Sequence, residues 1–186
     1  MTLAACYRAL AALMQYPEDR DAMLVNLDRA TEHLLRCNLE PIASSFVDFL
    51  GRSSLEEIQE DFVATFDFNP GRAPYLGHHL YRDHGKRSSY LIKLKQEFAR
   101  YGFVPTGCEL PDHLSVLAHF LAHLAETNQD SPRRSLLEQA VLPGLKKLTE
   151  NQDRSRPHWL PLFEAAHHVM TQDCREDPPC STRSSS

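Results

Sequence analysis

Ten histidines in 186 residues make metal ligation the first chemistry to weigh. His119 and His123 stand four apart, the spacing that sets two imidazoles on one face of a helix, and Glu164-x-x-His167 repeats the carboxylate–imidazole spacing of di-iron bundles. A di-iron site needs two such motifs and two further glutamates, and the sequence holds one motif. A zinc-protease motif needs a glutamate directly after its first histidine, where Phe120 stands. At helical spacing His119 and His123 fall opposite the centre of the Leu114, Leu117, Leu121 and Leu124 stripe, which reads as surface histidines. Nucleophilic catalysis has no Gly-x-Ser-x-Gly, phosphate-binding loop, dinucleotide fingerprint or cysteine–histidine pairing to start from. No metal ligand and no catalytic residue is assigned; a helical metal-binding protein or metalloenzyme using these histidines is the alternative reading.

A second group lies over residues 67–87, where Tyr75, His78, His79, Tyr81 and His84 are scattered among Pro70, Gly71, Pro74, Gly77 and Gly85. The segment is too long for a routine helix connection, so it is a functional loop or hides a short helix. Its histidines either titrate near neutral pH or hydrogen-bond the loop's own backbone. Residues 72–100 carry seven bases against two acids, and with Tyr81 and Tyr90 nearby they resemble a nucleic-acid patch. Lys93, Lys95 and Arg100, however, take the outward positions of a helix. Residues 18–67 carry twelve acids against four bases, and the whole chain is net −5, so a phosphate backbone is not the expected partner.

The elements that must position these residues read as helices. Leu and Ala together number 43 against 10 for Val and Ile, a balance that favours helix over sheet. A first amphipathic helix ends by Pro17; its apolar start lacks a basic lead and reads as mature structure, not a signal peptide. A second follows over 19–37, and a third over 42–50 stops at Gly51. A fourth opens on a capping box, Ser54 with Glu57, and carries the stripe Leu55, Ile58, Phe62 and Phe66. Its acids Glu56, Glu57, Glu60 and Asp61 fall on the opposite side, as a face that steers a basic partner or merely a solvated one. A fifth helix spans 88–101. Pro111 and the Asp112 carboxylate mark the start of a sixth, with Asp112 and His113 as its cap and Leu110, Pro111 and Leu114 as packing residues. A seventh spans 131–150, kinked or split at Pro143 and Gly144, and an eighth spans 158–172. At roughly 150 residues per domain this makes one all-α bundle of about eight helices over 1–172. A disordered tail is expected over 173–186, which has two consecutive prolines and little to bury.

No run approaches the roughly 20 apolar residues of a membrane span. The five cysteines are odd in number, scattered and without a Cys-x-x-Cys pair, as expected of reduced thiols in the cytoplasm.

Phe62-Val-Ala-Thr-Phe-Asp67, Pro74-Tyr-Leu76, His79-Leu80, His84-Gly-x-Arg87, Tyr101-Gly-Phe103 and Glu109-Leu-Pro-Asp-His-Leu114 form an ordered set of blocks. Together they resemble the NarJ family, the nitrate reductase delta-subunit chaperones, related to the TorD-like redox-enzyme maturation proteins. The chain departs from the pattern at Ser88, where the family has glycine, and nothing is matched after Glu126. The resemblance implies a TorD/NarJ-like helical fold without catalysis. It further implies binding to the apo catalytic subunit of a membrane-associated molybdoenzyme, including its N-terminal peptide, before membrane docking. No cofactor is bound stably; molybdenum bis-guanine-dinucleotide is handled through the client. The client-binding residues it implies are Tyr75, Leu76, His79, His84, Gly85 and Arg87, then Glu109, Leu110, Pro111, Asp112, His113 and Leu114. Nitrate reductase is the favoured client among enzymes of this type, and the oligomeric state is left open.

Overall fold

Local capping decides where most helices begin. Thr2 accepts from the Ala5 amide at α1 (Leu3–Leu13), and Asp19 accepts from the Asp21 and Ala22 amides at α2 (Arg20–Arg36). α3 (Ser44–Arg52) has no side-chain cap, whereas Ser54 and Glu57 close the expected box on α4 (Leu55–Phe66). The computed structural model describes residues 1–150 and 158–175, and among these every regular element is helical.

The loop over 67–87 contains the short helix α5 (Leu76–Leu80). α6 (His84–Arg100) starts four residues before Ser88 because Asp83 accepts from the Lys86 amide and caps it there. α7 (Leu114–Glu126) is followed by α8 (Asp130–Leu136), a π-helical turn (Leu137–Val141), α9 (Leu142–Glu150) and α10 (Leu160–Arg175). The expected break at Pro143 and Gly144 thus lies just before them. Pro143 removes a backbone donor, and the ladder widens immediately N-terminal to it. Gly144 serves packing instead of a kink: a Cβ there would lie 2.9 Å from Leu76 Cβ, so its absence lets α5 sit directly on α9.

α7 is the centre of the bundle, flanked by α1, which also packs on α2, while α10 returns against α9, α3 and α1. α7 is buried on almost every side, which corrects the surface reading of its histidines. His119 and His123 are half-buried, and His123 Nε2 donates to the Tyr101 carbonyl at 2.8 Å. A second correction concerns Asp61, placed by its spacing on the solvated face of α4. Trp159 Nε1 donates to Asp61 Oδ2 at 2.8 Å and His158 Nδ1 lies 3.3 Å from Oδ1, because the buried Trp159 indole, edge-on to Phe62 and Phe66, needs an acceptor at the core's edge.

α10 runs past residue 172 to Arg175, and Asp173, assigned to the tail by composition, is 3% exposed. Its carboxylate takes two parallel 2.9 Å hydrogen bonds from Arg133 and one of 2.7 Å from the Tyr7 hydroxyl. The rest of the expected tail, 176–186, lies outside the described residues.

Candidate functional site

The centre of interest is the junction between the 67–87 segment and the start of α7. Tyr75 and His113 form an isolated antiparallel bridge: the Leu76 amide donates to the Asp112 carbonyl at 2.9 Å, and the Leu114 amide to the Pro74 carbonyl at 2.8 Å. The two most distinctive blocks of the sequence are therefore tied backbone to backbone.

His113, not Asp112, caps α7. Its Nδ1 accepts from the Ser115 amide at 3.2 Å and from the Ser115 hydroxyl at 2.7 Å. Asp112 turns inward instead and is fully buried, its Oδ2 accepting from Arg87 Nε and Nη2 at 3.1 Å each. Gly77 makes this geometry possible. A Cβ there would stand 2.6 Å from Asp112 Oδ2 and 3.0 Å from the Tyr90 ring, so only glycine lets α5 close over the carboxylate. Arg87, held by Asp112, lies 5.9 Å above the Tyr75 ring. The Tyr75 hydroxyl donates to Glu109 Oε2 at 2.6 Å; burial and this bond push its phenol pKa up and keep it a donor.

These groups border a cleft of about 580 Å³. Tyr16, Phe62, Phe66, Pro70, Pro74 and Leu110 supply apolar surface; Asp67, Glu109, Arg87, His78 and His113 supply polar atoms. Phe68 and Leu110 remain 78% and 44% exposed, so Leu110, expected to pack, stands at the rim of the cleft instead.

Burial lowers the pKa of His113 against the raising fields of Glu109 and Asp112, and burial likewise lowers that of His79, whose Nε2 donates to the Ala73 carbonyl at 2.9 Å. Burial lowers His119 and His167 too. In the unfolded chain these groups take a proton near pH 6.5; in the fold they resist it. The linkage penalty is absent above that pH and grows below it. Urea unfolding midpoints are therefore expected to fall as pH drops from 7.5 to 5.5, with a smaller fall in His113→Gln; a flat profile would refute this assignment.

Of the sequence-derived candidates, Tyr75, Arg87, Glu109, Leu110 and His113 line the cleft. Leu76, Pro111, Asp112 and Leu114 are buried, and His79 and His84 border an adjoining cleft that shares His78 and Arg87 with this one. Gly85 lies on the exposed first turn of α6. Glu56, Glu57 and Glu60 are exposed on α4, with Glu57 engaged in the capping box, and neither they nor Asp61 line the cleft. Sequence reasoning missed Tyr16 as a wall residue and Gly77 as the contact on which Asp112 depends. The usable signal for Gly77 was a glycine inside a segment otherwise able to form a helix. Among the described residues no three His, Cys, Asp or Glu gather to hold a metal, which leaves the metalloprotein alternative without support there. No described helix is long and apolar enough to cross a membrane.

A family model described as the nitrate reductase delta subunit matches residues 32–165, extending past Glu126, where sequence reading finds no further match. A curated protein of Bacillus subtilis (strain 168), named as a probable nitrate reductase molybdenum cofactor assembly chaperone NarJ, is 27% identical over 117 residues. That alignment covers 62% of this chain and spans 64% of the relative's length. Among solved structures, one described as a redox enzyme maturation protein from Archaeoglobus fulgidus superposes with a TM-score of 0.54 at 17% identity. The superposition covers 95% of this chain and 96% of that one, a likeness of fold.

Proposed function

Because the chain belongs to the nitrate reductase delta subunit family, we propose that it is a dedicated assembly chaperone for a nitrate-reductase-type molybdoenzyme. It acts in the cytoplasm on the apo catalytic subunit, engages that subunit's N-terminal peptide, and holds it while the molybdenum bis-guanine-dinucleotide cofactor enters, before membrane docking. The cofactor stays with the client, and the chaperone performs no catalysis. The observation that carries the reading is the family match over residues 32–165, which includes the whole Tyr75–His113 junction.

The cleft supports a particular mode of binding. An amphipathic client helix lays its apolar residues on Phe62, Phe66, Tyr16 and Leu110, while basic client residues meet Asp67 and Glu109 at the rim. Exposed Glu56 and Glu60 raise the encounter rate through their charge without contributing contacts. Asp112 and Gly77 position Arg87 and Tyr75 from below.

The test is co-purification from cells respiring anaerobically on nitrate, followed by calorimetry with a synthetic peptide of the captured subunit's N-terminus. A large molybdopterin-binding subunit is expected. Leu110→Asp, at an exposed rim position, is expected to weaken the peptide at least tenfold, about 1.4 kcal/mol, with the unfolding temperature unchanged. Peptide binding insensitive to Leu110→Asp would remove the cleft from the proposal, and failure to capture any molybdoenzyme subunit would remove the proposal.

A further inference from the structure

Two further clefts, of about 480 and 610 Å³, adjoin along α6. They share Tyr81, Tyr90 and Lys93 and have no wall residue in common with the cleft at the Tyr75–His113 junction. Together they follow α6 from Gly85 to Arg100, about 22 Å at the helical rise of about 1.5 Å per residue. The wall of the larger one opposite α6 comes from α8 and the π-helical turn, through Ser135, Leu136, Gln139 and Ala140. Widened turns of this kind are common at functional sites, and this one sets Gln139 in the groove.

Tyr90, in the wall common to both clefts, is 7% exposed, and its hydroxyl has no hydrogen-bond partner among the described residues. Burial, and then the field of Asp112, raise its phenol pKa, so it stays protonated and able to donate. An unpaired buried donor is costly, and an acceptor reaching it from the groove removes the cost. Lys93 lies three residues on, on the same side of α6. Its spacing alone sets it on a solvated face; in the fold it borders both clefts. The carboxylates beside it are engaged: Glu97 pairs with Arg100 at 3.7 Å, and Asp83 caps α6 through the Lys86 amide. The Lys86 and Lys93 ammonium groups pair with no acid among the described residues, so the free charge of the groove is cationic.

A phenol and an ammonium one helical turn apart are a pair of donors matched to a carboxylate. The groove is longer than a small molecule fills, and at ~3.3 Å per residue it takes roughly six residues of extended chain. We propose that it binds an extended polypeptide segment bearing an acidic side chain, with the carboxylate on Lys93 and the Tyr90 hydroxyl and the main chain between the Gln96 and Gln139 carboxamides. The site does not rest on the chaperone reading. Its test is fluorescence anisotropy of the full chain with labelled hexapeptide pools, acetylated and amidated. The third position of each pool is fixed as Glu, Gln or Lys, and the others vary among Ala, Val, Thr and Tyr.

The Glu pool is expected to bind at least fivefold tighter than the Gln pool, and the Lys pool weakest. Tyr90→Phe is expected to weaken the Glu pool at least fivefold while its urea midpoint holds or rises, since only an unpaired buried hydroxyl has gone. Lys93→Gln is expected to abolish the preference for Glu over Gln. Lys95→Gln, which removes the same charge from α6 outside the groove, is expected to keep that preference. Leu110→Asp, at the rim of the cleft beside Tyr75, is expected to bind the pools as the parent does, which separates this site from the one assigned to the client peptide. No binding of the Glu pool, equal binding of the three pools, parent-like affinity in Tyr90→Phe, or equal losses in Lys93→Gln and Lys95→Gln would overturn the proposal.

Discussion

Arg87→Ala destabilises the protein more than Asp112→Ala does, although the two residues form one ion pair. The expected losses are about 4–5 kcal/mol and about 3 kcal/mol, within the range for breaking a buried pair. The asymmetry follows from solvent access: Asp112 is fully buried, whereas the Arg87 side chain is 26% exposed. Without Arg87 the carboxylate is stranded, since Oδ2 takes both its hydrogen bonds from Arg87 and Oδ1 has no partner among the described residues. Without Asp112 the guanidinium can swing toward the cleft and water. The double variant is therefore expected to lose less than the sum, with a coupling of about 2 kcal/mol by urea unfolding. Additive losses, or the reverse order, would show that the pair does not hold the Tyr75–His113 junction together.

Asp173→Ala is expected to cost about 3–5 kcal/mol, because it leaves Arg133, only 6% exposed, with Asp130 alone and takes the acceptor from the buried Tyr7 hydroxyl. For a domain of this size that is a fall of roughly 10 °C in unfolding temperature. Truncation after Gln172 removes the same carboxylate and is expected to match it. Asp173→Asn, which keeps the shape and one acceptor, is expected to lose less. A truncation at 172 that unfolds like the full chain would mean that the network merely decorates a helix end. The α1, α8 and α10 segments joined here are distant in sequence, so the loss is of tertiary origin and leaves isolated helix propensity untouched.

How far these features were readable in the chain differs by residue. Ser54 and Glu57 form their box because both partners sit within one turn, so spacing alone determines the contact. The Leu114, Leu117, Leu121 and Leu124 stripe correctly marked a buried face of α7, but a stripe says nothing about the opposite side. α7 is covered there as well, and His119 and His123 are half-buried as a result. Asp61 failed for the same reason: its helical angle points away from the α4 stripe, yet Trp159, far along the chain, brings an indole N–H to it. In the Glu109–Leu114 block the sequence marks a helix start, but which of Asp112 and His113 caps it depended on Arg87 waiting inside the fold.

The sequence by itself determined the helical class, most helix starts, the amphipathic stripes and the family pattern, because each rests on residues within a turn or two of one another or on ordered blocks. Tertiary structure alone decided which polar side chains went inside. Gly77 is required by a carboxylate 35 positions away, Gly144 by Leu76, and Asp173 is drawn out of an apparent tail by Arg133 and Tyr7. Burial of a charge is favourable only where a partner from elsewhere in the chain meets it, and no local pattern of residues records that meeting.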